Sequence, residues 1–116
     1  MAGKYNHKYY AKAQNLRHWF TARYNDVFAD YDVLAMPTVP FRALEFPRSD
    51  KLADIYAAAQ SNLINTSPFD VTGHPAISFP VETRGPLPVG MQVVGTLGRD
   101  VIVLRESHAY QTRFSR

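Results

Sequence analysis

Between Asn65 and Gly95 the chain reads NTSPFDVTGHPAISFPVETRGPLPVGMQVVG, and this segment constrains the fold most. Two short apolar runs, Ala76 to Val81 and Val89 to Val94, stand between breaks set by Pro68, Gly73, Pro75, Gly85, Pro86 and Pro88. Runs this short, flanked by glycine and proline, suit strands, and the link Glu82 to Pro88 has enough glycine and proline to reverse the chain. The approach from Asn65 to Pro75 reads as turn-rich for the same reason.

The remainder must cover those strands. Residues His7 to Ala29 hold no glycine or proline and predict one long helix. Tyr9, Ala13, Leu16, Phe20, Tyr24 and Val27 follow steps of three and four, the period of one helical face, which is expected to be core. Asp32 to Met36 predicts a short buried strand, closed by Pro37 and Pro40 because proline cannot donate to a central ladder. A surface loop follows, Thr38 to Pro47. Ser49 or Asp50 is positioned to cap a second helix reaching about Leu63. Asp100, after Gly98, is expected to cap a last helix whose Val103, Ser107, Tyr110 and Phe114 share one face. The order helix, strand, helix, strand, strand, helix predicts an α/β class, a layered mixed sheet with covering helices. Residues 1–116 form a single partial domain in this reading. Three short strands make a small sheet, so its edge is open to strands from another polypeptide or from a second copy.

Charge and composition narrow the function. At 46% hydrophobic and 20% charged residues the 116-residue chain is too apolar for disorder. No run approaches the length of a membrane span, so no membrane partner is expected. The absence of cysteine removes disulfides and thiolate metal sites, and a cytoplasmic enzyme fits. The net charge of +3 is uneven: Lys4, Lys8, Lys12, Arg17 and Arg23 precede the first acid, Asp26, with tyrosines and Trp19 among them. Such a stretch could meet nucleic acid, but helical periodicity already accounts for most of the aromatics, and a solvated basic face is favoured.

The words of the sequence resemble the C-terminal part of the amidase signature family. They are Y-Y-A-K-A-Q-N-L-R from Tyr9 to Arg17, D-V-L-A-M-P-T-V-P from Asp32 to Pro40, and N-T-S-P-F-D-V-T-G-H-P-A-I-S-F-P from Asn65 to Pro80. L-P-V-G-M-Q-V-V-G from Leu87 to Gly95 and His108-Ala109-Tyr110 follow in order. One departure is local: Leu97-Gly98-Arg99-Asp100 stands where the family often has an aromatic–acid–acid step. The resemblance implies hydrolysis of carboxamide C–N bonds, with no metal or organic cofactor. It also implies a small-molecule amide as substrate and a complementing N-terminal amidase portion as partner. That family's Ser–Ser–Lys apparatus sits on a Gly- and Ser-rich stretch, which here has no counterpart. None of the six glycines is adjacent to another, there is no Ser-Ser pair, and the only lysine after Lys12 is Lys51. No catalytic residue therefore carries over, and the isolated chain is expected to be inactive.

The resemblance further implies that Ile64, Asn65, Thr66 and Phe69 lie near the acyl pocket as substrate-binding residues. The local alternative makes Asn65 a helix cap, Thr66 a turn residue and Phe69 core. Asp70, His74 and Ser78 superficially offer a Ser-His-Asp set. On an extended strand His74 and Ser78 would project ~13 Å apart, beyond hydrogen-bond reach, and His74 reads better as a packing histidine. His7, His18, His74 and His108 show no ligand spacing. Three functions stay open: an amidase portion, a binding or assembly module derived from that fold, and a basic nucleic-acid-binding domain. The first is favoured.

Overall fold

The structure is a computed structural model that describes residues 8–45, 48, 50–81 and 86–114. Its elements are α1 (Lys8–Phe28), β1 (Val33–Pro37), α2 (Leu52–Ser61), α3 (Ser67–Thr72), β2 (Ala76–Val81), β3 (Val89–Gly95) and α4 (Asp100–Phe114). The strands form one sheet in the order β1-β3-β2, and both pairings are antiparallel. The layered α/β class holds. Within these three strands, however, the sheet is antiparallel throughout where a mixed sheet was expected.

The register fixes two faces. On one, Phe79 and Val93 pack with Val103 of α4, and Ile77, Val81, Met91, Val33 and Tyr110 border them. Helix α4 approaches so closely at Gly95 that a Cβ there would lie 2.9 Å from Val103 Cγ1. The other face pairs Leu34 with Val94 and Met36 with Gln92, and Ser78 lies opposite Gln92 from the far side. Val94 is the one large side chain with no exposure among the described residues. Helix α3 and the turn before it lie toward this second face, and the last turns of α1 pack on α3. Tyr24 meets Phe69 at 5.1 Å between ring centroids, and Phe28 meets His74 at 5.2 Å.

Three expectations change. The predicted turn-rich approach contains helix α3: Pro68 falls in its first turn, where a missing N–H costs nothing, and Gly73 closes it at φ 80. The expected caps of α2 are not used. Asp50 lies outside the helix, the N-cap position falls to Lys51, and Ser49 lies outside the described residues. Third, α1 exists as predicted, yet none of its residues is buried. Tyr9, Leu16, Phe20 and Val27 are exposed, and the ring contacts that α1 makes with α3 and with His74 fall on its last turns, at Tyr24 and Phe28. The start of the predicted helix at His7 and most of the Glu82 to Pro88 link, residues 82–85, also lie outside the described residues. Among the described residues no helix is long and apolar enough to cross a membrane.

Candidate functional site

The second sheet face opens into a polar cleft of about 380 Å³ between the strands and α3, with Thr38, Thr66, Asp70, His74, Ser78 and Gln92 on its walls and Phe69 behind them. Each polar group is placed by the backbone that carries it. Thr38 follows β1 and stays in register, its N–H donating to the Gly90 carbonyl at 2.9 Å. Its hydroxyl reaches Ser78 Oγ at 2.6 Å, bridging β1 and β2 across β3. That bridge depends on Gly90 between them: a Cβ there would lie 2.8 Å from Thr38 Oγ1 and 3.3 Å from Ser78 Oγ.

Gln92 sits in the central strand, 3% exposed. Its Nε2 donates to the Asn65 carbonyl at 3.1 Å, and the Asn65 amide in turn donates to the Pro37 carbonyl at 2.7 Å. Asn65 thus pins the turn before α3 to the sheet at two points. Burying an amide is costly unless it is bonded, which explains a glutamine in an otherwise apolar strand.

His74 is buried between α1, α3 and β2. Its Nε2 lies 3.2 Å from Asn25 Oδ1 and its Nδ1 2.8 Å from Thr72 Oγ1. Asn25 Oδ1 only accepts, so Nε2 carries the proton and Nδ1 accepts from the Thr72 hydroxyl. Burial holds the imidazole pKa below its ordinary 6.5. The ring is therefore a neutral packing group, enclosed by Tyr24 and Phe28.

The residues singled out from sequence separate. Asp70, His74 and Ser78 border one cleft, but the hydrogen bonds of the described residues do not join them: Ser78 is engaged by Thr38 and both His74 nitrogens by Asn25 and Thr72. Thr66 and Phe69 line the cleft, Phe69 from within the core at 4% exposure. Asn65 is the sheet pin rather than a cap of α2, whose C-cap is Asn62. Ile64, 57% exposed, faces a separate apolar groove of about 400 Å³ between α1 and the α2–α3 junction, with Phe20, Tyr24, Leu63, Pro68 and Val71. Sequence reasoning missed Thr38 and Gln92. A lone glutamine among valines was the available signal for Gln92, whereas Thr38 and Ser78 are forty positions apart. Among the described residues no three His, Asp or Glu side chains converge to hold a metal ion.

Known proteins match this chain in sequence and in fold. The family model described as Amidase matches residues 1–104. An uncharacterised protein of Rhodococcus erythropolis is 41% identical over 103 residues, covering 88% of this chain and 52% of that protein. An enantioselective amidase of Rhodococcus rhodochrous is 44% identical over 112 residues, covering 90% of this chain and 22% of the enzyme. The crystal structure of a glutamyl-tRNA(Gln) amidotransferase subunit from Thermotoga maritima superposes with a TM-score of 0.77 at 29% identity, over 96% of this chain and 24% of that one. The chain thus spans from about a fifth to about half the length of these relatives. The match along nearly its whole length, the ordered sequence words and the shared fold together place this chain in the Amidase family.

Proposed function

We propose that this chain is the C-terminal portion of an amidase that hydrolyses carboxamide C–N bonds, and that it contributes architecture and part of the substrate pocket but no catalytic residue. The observation that carries the reading is the hydrogen bonding of the cleft. Its serine is held by a threonine and its histidine by an asparagine and a threonine, so no base is aimed at a nucleophile. The nucleophilic serine, its Ser–Lys proton relay and the oxyanion donors belong to the complementing N-terminal portion. There the serine attacks the amide carbon, ammonia or an amine leaves, and water cleaves the acyl-enzyme.

In the assembled enzyme Thr66 supplies a hydroxyl and Phe69 the apolar back of the cleft, Asn65 holds the segment that carries them, and Ile64 adds apolar wall from the neighbouring groove. The exposed aromatics and cations of α1 are surface that the rest of the enzyme covers rather than a nucleic-acid site. The reading sets the assembled enzyme in the cytoplasm and calls for no cofactor.

The test is complementation. The Rhodococcus rhodochrous amidase, shortened by the part this chain matches, is co-expressed with the chain, and ammonia release from a carboxamide is followed. Neither polypeptide alone should turn over substrate, and the complex should. Turnover by the isolated chain that disappears in Ser78→Ala would overturn the reading, as would a well-formed complex without activity.

A further inference from the structure

We infer that Gln92 is a positioning residue: through Asn65 it aligns the turn between α2 and α3, and thereby sets the acyl selectivity of the assembled enzyme. This rests on the proposed amidase function and names the residue that holds the pocket wall in place.

Gln92 lies mid-sheet, with Met36 on β1 and Ser78 on β2 as its neighbours, and is 3% exposed. Met91, Val93 and Val94 stand beside it in the strand. Sheet packing alone calls for another apolar side chain there, because a buried amide is costly unless it is bonded. The bond that Gln92 makes leaves the sheet: its Nε2 donates to the Asn65 carbonyl at 3.1 Å, 27 positions away in the chain. A carbonyl only accepts, so the amide nitrogen must face it and the Gln92 side chain has one orientation.

The turn that Gln92 reaches has little else to fix it. From Leu63 to Ser67 it closes on itself, the Thr66 and Ser67 N–H groups donating to the Leu63 carbonyl at 3.2 and 2.9 Å. Among the described residues, its hydrogen bonds to the sheet both pass through Asn65. One comes from Gln92, and the other runs from Asn65 Nδ2 to the Pro37 carbonyl at 2.7 Å. Two adjacent strands thus hold one residue by its backbone and its side chain, which fixes the rotation of the turn as well as its place.

That turn carries walls of both cavities. Leu63, Ile64 and Ser67 line the apolar groove, and Thr66 lines the polar cleft. Leu63 and Ile64 are 45% and 57% exposed, so packing within the chain does little to hold them and the backbone bonds at Asn65 must. An apolar pocket discriminates by roughly 10- to 200-fold per methylene, so a loosened wall appears as lost selectivity for larger acyl groups.

Gln92→Met keeps the length of the side chain and removes the donor. Hydrogen exchange on the full chain should show the Thr66 and Ser67 amides about tenfold or more faster in this variant, beyond any change at Val93 in the sheet. In complex with the shortened Rhodococcus rhodochrous amidase, the kcat/KM ratio of phenylacetamide to acetamide should fall about fivefold or more, mainly through KM for phenylacetamide. Val103→Ala, a cavity on the opposite sheet face, should lower the folded yield yet leave that ratio within about twofold, since lost folded enzyme scales both substrates alike. Gln92→Glu gives a rescue. Ionised, its carboxylate only accepts; protonated, its O–H donates to Asn65. Its ratio should therefore approach the wild-type ratio as pH falls and the buried carboxyl takes up a proton. Asn65→Ala, which removes the Pro37 bond, should change exchange and selectivity in the same direction as Gln92→Met and decides the matter if that variant does not fold. Unchanged Thr66 and Ser67 exchange overturns the clamp. Faster exchange with an unchanged ratio, or a Gln92→Glu ratio that ignores pH, overturns the role in selectivity alone. A wild-type complex that turns over neither amide overturns the functional reading and the selectivity with it, while exchange still decides the clamp.

Discussion

Two hydroxyls and a glycine link the outer strands through the middle one. Thr38 and Ser78 meet directly over Gly90, which leaves no room for a methyl group. Gly90→Ala should therefore destabilise the assembled enzyme by about 1–3 kcal/mol through overpacking. Thr38→Ala in the same background should restore part of the loss, because the two changes share one volume and are not additive. Denaturant unfolding of the two single variants and the double variant measures this. His74 gives a second residue-scale prediction. Its folded pKa lies below 6.5, so the unfolded chain binds the extra proton first, and stability falls as pH drops below 6.5. The side chains around it, Tyr24, Asn25, Phe28 and Thr72, carry no formal charge near neutral pH to reverse the sign. An NMR titration should show its ring protonating below pH 6.5, and His74→Gln should flatten the acid limb of the melting temperature.

Among the elements, local punctuation and non-local covering were unequally legible in the sequence. β2 and β3 are readable within a residue or so because glycine and proline bound them, and Gly98 marks the approach to α4, although Asp100, expected as its cap, is its first helical residue. Helix α3 was missed for the same kind of reason: Pro68 reads as a breaker unless the following helix is already known, and only then does it become a first-turn residue. The apolar row of α1 was visible too, but its burial was not, since periodicity says which face seeks a partner and nothing about who supplies it. Of the site, Phe69 and Asn65 were named, whereas the Thr38–Ser78 bridge required the sheet order. A measurement separates an uncovered helix from a packed strand. In the isolated chain Leu16→Ala should cost under about 0.5 kcal/mol, as an exposed substitution does. In the assembled enzyme the same change should cost about 2 kcal/mol or more. Val94→Ala, fully buried by the chain's own elements, should cost about 2 kcal/mol in both settings. Thermal melts of both forms give the comparison.

As a whole molecule the chain is spread out. Its radius of gyration is 17.7 Å over extents of 56 × 44 × 17 Å, against about 13 Å for a compact domain of similar length. The buried apolar side chains among the described residues are Phe69, Phe79, Val93, Val94 and Val103, while large apolar groups from Tyr9 to Phe114 remain exposed. Small-angle scattering should find the isolated chain at least as extended as this, and salt should do little to the assembled complex because the missing contacts are mainly apolar.

The strand order has a consequence for synthesis. β3 lies between β1 and β2 in space but follows both in the chain. While the polypeptide emerges from a ribosome, β1 and β2 must wait without a neighbour until Val89 to Gly95 has left the exit tunnel. The nearby β2–β3 hairpin closes first, and β1 must then cross more than fifty residues to join it. Until Val89 to Gly95 has emerged, β1 and β2 lack the strand that joins them, and that interval is when a chaperone would find them.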